Sequence, residues 1–162
     1  RARAKVSRLF RDGRIEKTYW AVVEGAPAED AGLIDLALAK RSPERGWWMK
    51  PDPDGLPSQT RYRVLGRGIL DGVQLAWLAL EPLTGRTHQL RVHCVASFGP
   101  IRGDEIYGDA PRDAGPGLHL HAQGIAIPLS PKREPVRISA PPPPHMQAAL
   151  AACGWSGDDK LS

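Results

Sequence analysis

The chain has 162 residues, a formal charge of +4, 41% apolar and 25% charged residues. That is enough for one sizeable core in one domain, with an ordinary soluble balance. No run approaches a membrane span of about 20 apolar residues, RARAKVSRLF does not read as a secretory leader, and Cys94 and Cys153 suggest neither a disulfide framework nor a metal knuckle, so a reducing cytoplasm is expected.

Residues 3–12 read as a short helix, with Val6, Leu9 and Phe10 against a run of arginines that includes Arg8 and Arg11. Asp12-Gly13 is a turn. RIEKTYWAVVEG alternates as a strand, with Ile15, Lys17, Tyr19, Ala21 and Val23 on one face. GLIDLALAK is a weaker strand, followed by a Pro- and Gly-rich loop or two-strand excursion around Trp47 and Trp48. QTRYRVLGRG and GVQLAWLALEP form two extended segments joined by a Gly-rich turn.

Residues 87–98 are expected to be helical, with Leu90, Cys94 and Phe98 as the apolar stripe and Thr84 or Thr87 as the cap. A loop follows to residue 117. LHLHAQGIAIPLS suggests a helical turn running into a strand, REPVRIS a last strand stopped by four prolines, and HMQAALAAC a closing helix. The pattern is α+β, a mixed and mainly antiparallel sheet with flanking helices. Residues 1–155 make one domain and 156–162 a polar tail.

TGRTHQLRVH crowds cations at a helix start, where the helix dipole disfavours them. His88 and Arg91 share one side of that helix, with Arg86 just before it. Two readings stay open: an anion site, or a structural ion pair. The spacing of His93, His119 and His121 fits no closed zinc pattern.

GRTHQLRVH, followed by GPIRGDEIYG and LHLHA, with KTYWAVVEG upstream and APPPPHM at the end, resembles the RluA-type pseudouridine synthases in motif and in order. The resemblance covers most of the chain. It implies isomerisation of uridine to pseudouridine in ribosomal or transfer RNA, without metal or cofactor; a monomer is expected. It implies Tyr19 as the aromatic wall of the base pocket and Arg91 as the partner of a catalytic aspartate. Leu120, His88 and Gln89 then line the pocket, with His88 and Gln89 holding backbone and loops. Arg86, Arg102, Arg8 and Arg11 are RNA-backbone candidates. Asp104 is expected in a tight loop, bonded to backbone or to Arg102, with Tyr107 as packing.

The family's His-Arg-Leu-Asp motif does not occur in this sequence. The resemblance places it shortly before the Lys-x-Tyr strand, so the catalytic aspartate is expected in residues preceding Arg1. The chain is then a partial catalytic domain, inactive alone, and Arg91 is expected to stand without its carboxylate, facing solvent or a solvent anion. A non-catalytic RNA-binding module, using the basic surface around Arg86, Arg91 and the first helix, is the main rival. A ligand-free interaction protein explains the motifs less well, and a hydrolase with His88 as base lacks a Ser or Cys elbow. Richness in Ala, Arg, Gly and Pro points to a GC-rich bacterial genome.

Overall fold

The computed structural model describes residues 15–41, 48–111, 115–128, 134 and 136–157. The first helix, Arg8, Arg11, Trp47 and most of the tail lie outside the described residues.

Six strands make one sheet in the order β2-β5-β6-β1-β7-β8, and every pairing is antiparallel. They are β1 (Glu16–Glu24), β2 (Ala31–Asp35), β5 (Gln59–Leu70), β6 (Val73–Pro82), β7 (Leu120–Ile127) and β8 (Val136–Ser139). A two-stranded sheet joins β3 (Leu38–Lys40) to β4 (Met49–Pro51). Helix α1 (Gln89–Ser97) packs on one side of the large sheet and α2 (Pro144–Ala152) on the other.

Strand periodicity explains the two-sided core. In β1, Ala21 and Val23 point to α1, while Trp20 and Val22 point to α2. In β6, Ala76, Leu78 and Leu80 face α1, while Leu75, Trp77 and Ala79 face α2. Both strands are therefore apolar without interruption through their buried stretches, Trp20 to Val23 in β1 and Leu75 to Leu80 in β6. β5 and β6 meet at Asp71-Gly72, with φ 52° and 78°, the left-handed pair that a tight hairpin turn requires.

Three local expectations are overturned. GLIDLALAK is not one strand: it leaves the large sheet after Asp35, and Leu36 N–H bonds Ser58 O before β3 joins the small sheet. No helical turn precedes β7, because His119 N–H bonds Arg102 O and His119 O accepts from Val22 N–H, which keeps the backbone extended. Neither threonine caps α1. Its N-cap is His88, with no side-chain cap bond. The Thr84 hydroxyl is occupied, accepting from Gln59 N–H and donating to Gln89 Oε1.

Candidate active site

An open cleft of about 1190 Å³ lies at one end of the sheet. Ile15 just before β1 and Lys17 and Tyr19 within it line the cleft, as do Leu118 just before β7 and Leu120 at its start. The β6–α1 turn and the first turn of α1 supply Arg86, His88, Gln89 and Arg91. Tyr19, Arg91, Leu120, His88, Gln89 and Arg86 thus share one cavity. Arg102 does not line it; its backbone is tied to Val22 O and His119 N–H instead.

Gln89 is 4% exposed, and both ends of its amide are used. Its Nε2 donates to Gln59 O at 2.8 Å and to Thr60 Oγ1 at 2.9 Å. Its Oε1 accepts from Thr84 Oγ1 at 2.7 Å and from Arg86 N–H at 3.0 Å. One side chain therefore pins the cationic turn to the end of β5. The chain of bonds continues inward. Thr60 Oγ1 lies 2.8 Å from His93 Nδ1, and His93 Nε2 donates to Leu36 O at 2.9 Å. Burial lowers the His93 pKa against the Leu36 bond and the Asp35 charge, in the direction of the neutral ring that this pattern uses. Arg86 leans back on the protein, with Nε and Nη2 both donating to Pro57 O.

Arg91 is not left facing a solvent anion, as expected from the sequence. Its Nε donates to Asp104 Oδ2 at 3.0 Å and its Nη2 to Asp104 Oδ1 at 2.7 Å. The Asp104 carboxylate is fully buried, so this is an internal ion pair, and Asp104 bonds Arg91 rather than Arg102. Asp104 Oδ1 also accepts from the N–H groups of Ile106 and Tyr107, each at 2.9 Å. Burial alone raises the carboxyl pKa. The Arg91 bonds and the two amides outweigh it and hold the group below its usual value. The pair holds one edge of the guanidinium while Arg91 remains part of the cleft wall.

His88 starts α1 in the left-handed region, φ 52° and ψ 21°, a conformation uncommon outside glycine. Its Nδ1 is 2.7 Å from the Tyr107 hydroxyl. Burial, then the Arg91 charge, lowers its pKa, and Asp104 partly opposes them. Cys94 is buried beneath the site, and burial pushes its thiol up to about 12, so it is no thiolate nucleophile. His119 is held neutral by burial, with a pKa of about 4. Among the described residues no three potential metal ligands cluster, and no helix is long and apolar enough to cross a membrane.

The structural ion pair left open at this helix start is Arg91–Asp104, though the sequence did not name Asp104 as the partner; the Gln89–Thr60–His93 chain, and Arg61 and Glu81 in the cleft wall, were not foreseen. The spacing of the motif gave no sign of which partners would come from β5 and from the loop after α1. Lys17 was readable, since alternation puts it on the face of Tyr19.

Residues 1–96 match the family model described as RNA pseudouridylate synthase. The chain is similar to an RNA pseudouridine synthase of Zymomonas mobilis, 38% identical over 141 residues, covering 86% of this chain and 62% of that one. It is similar to the dual-specificity RNA pseudouridine synthase RluA of Yersinia pestis, 40% identical over 127 residues, covering 78% and 60%. The structure resembles human RNA pseudouridylate synthase domain containing 1, with a TM-score of 0.69 at 34% identity, covering 85% of this chain and 59% of that one. The chain thus spans about three fifths of the length of these relatives. It belongs to the RNA pseudouridylate synthase family, of the RluA type.

Proposed function

We propose that the whole protein isomerises uridine to pseudouridine in structured RNA, and that the cleft at the start of α1 receives the target base. The observation that carries this reading is the meeting of Tyr19, Arg91 and Leu120, from three separate segments, in one cavity. A base modified at its glycosidic bond must leave its stack, and aromatic and apolar walls then hold it. Tyr19 and Leu120 supply those walls. Lys17, Arg61 and Arg86 give the cleft cationic side chains suited to RNA phosphates.

The catalytic carboxylate, as nucleophile or as stabiliser of a transient sugar–base break, belongs to the His-Arg-Leu-Asp motif, which the 162-residue sequence does not contain. Arg91 orients it and keeps it ionised. Asp104 already occupies Nε and one hydrogen of Nη2, so the incoming carboxylate meets the remaining edge of the guanidinium. The reaction breaks the bond from C1′ to N1 and forms one from C1′ to C5. The C5 proton is released and N1 gains one, so no redox partner is needed. Residues 1–155 are part of the catalytic domain. The substrate is ribosomal or transfer RNA, and the protein is a bacterial, cytoplasmic monomer.

The test incubates the full-length protein with RNA carrying tritium at uridine C5. Tritium released to water, with pseudouridine in the digested RNA, is the expected result. Salt-sensitive binding without release supports the binding-module rival instead. The 162-residue chain alone is expected to release none.

A further inference from the structure

Tyr107 came out of the sequence as packing, yet its hydroxyl sits between two polar groups. Met49 N–H, which can only donate, is 3.0 Å away, and His88 Nδ1 is 2.7 Å away. The phenol oxygen accepts from Met49, so its own hydrogen needs an acceptor. Among the described residues His88 Nδ1 is the acceptor within reach. An Nδ1–H tautomer would leave the phenol hydrogen unpartnered in a half-buried site. Burial, the largest influence on Tyr107, raises its pKa, so the phenol keeps its hydrogen. The lowered pKa of His88 is consistent with a neutral ring.

The phenol is itself held. Tyr107 N–H donates to Asp104 Oδ1, and the Arg91 guanidinium lies 5.5 Å from the ring centre. His88 lines the cleft from a left-handed backbone, φ 52° and ψ 21°. Among the described residues Nε2 has no protein partner.

We propose that Tyr107 is a positioning residue that locks His88 as the Nε2–H tautomer, so that His88 offers a neutral donor to a carbonyl oxygen of the target uracil. The lock stands on the contacts alone; the identity of the acceptor rests on the RNA-modifying reading of the cleft. A neutral donor suits a neutral carbonyl, while the cations of the cleft suit phosphate.

Long-range proton–nitrogen NMR of the histidine-labelled full-length protein tests the lock without RNA. The expected spectrum has Nδ1 bare and Nε2 protonated at neutral pH, and Tyr107→Phe turns it into a tautomer mixture. An Nδ1–H or doubly protonated ring in the unsubstituted protein overturns the lock. Affinity for a uridine-containing stem–loop tests the acceptor. His88→Ala is expected to weaken it about tenfold. His88→Gln restores most of that, since its amide nitrogen reaches towards the same point. Tyr107→Phe weakens it less, and has no further effect in the His88→Ala background. On an abasic stem–loop His88→Ala costs nothing; an equal loss there overturns the uracil assignment. If Tyr107→Phe fails to fold, the unsubstituted spectrum and the two His88 variants still decide. The expected tautomer in a protein with no affinity for RNA supports the lock, and overturns both the acceptor and the RNA reading.

Discussion

On the α2 side of the sheet, Trp20, Leu75, Trp77, Met146 and Leu150 meet as an apolar block. On the α1 side, the apolar residues share the interior with Thr60, Gln89, His93 and Asp104, all buried. The α2 side is fitted by shape. Trp20 and Trp77 stack edge to face at 5.0 Å, and α2 comes so close to β5 that a Cβ on Gly66 would overlap Cys153 O. The α1 side is fitted by hydrogen bonds. Gln89 and Asp104 are satisfied several times over, whereas the indole N–H groups of Trp20 and Trp77 have no partner among the described residues. Buried polar groups cost stability unless they are paired. The α1 side carries many of them: Asp104 holds the cleft residue Arg91 directly, and Thr60, backed by His93, holds Gln89 in the cleft wall. One side of the sheet is scaffold, and the other aims side chains.

Substitutions on the two sides should therefore separate stability from function. The largest effect is expected for Arg91→Ala, which strands the fully buried Asp104 carboxylate. It should cost roughly 3–5 kcal/mol in urea unfolding and abolish turnover of the full-length protein. Its pH dependence is a second signature. The Asp104 carboxyl is depressed in the folded state. The stability it contributes is complete above its unfolded value of about 3.9 and is lost as pH falls through the lower folded value. Arg91→Ala should remove this contribution from the acid limb of a stability profile.

Leu150→Ala opens a cavity against α2 and should cost about 3 kcal/mol, with normal turnover in the protein that remains folded. A direct loss of turnover there would break the comparison. Thr60→Val keeps the shape but removes the hydroxyl shared by Gln89 and His93. A cost of about 1–3 kcal/mol is expected in thermal and urea unfolding. The smallest effect should come from Asp30→Asn. It removes a surface pair to Arg67 in which Asp30 is 92% exposed, and it should change the same unfolding curves by less than about 0.5 kcal/mol.

The sequence carried much of this arrangement. Alternation placed β1, β5 and β6, and the KTYWA, GRTHQLR and LHLHA blocks named the residues that the cleft brings together. The pairing of Arg91 was not legible, because its partner sits on a loop whose approach only the tertiary fold decides. The helix start was misread for a similar reason. A threonine is the usual cap, but here Gln89 has taken the Thr84 hydroxyl and His88 adopts φ 52°. Val92 and His93 also lie off the expected stripe. The small sheet and the link from β2 to β3 cover those sides of α1, so that the helix is buried on more than one face.

The most direct measurement is the single-turnover rate of pseudouridine formation by the full-length protein carrying Arg91→Lys, beside Leu150→Ala, at a temperature where both are folded. Lysine keeps the charge but not the paired geometry that orients a carboxylate. Arg91→Lys is expected to be slower by about a hundredfold, and Leu150→Ala to match the unsubstituted protein. An unchanged rate for Arg91→Lys would contradict the assignment of the α1 cleft as the site of the reaction.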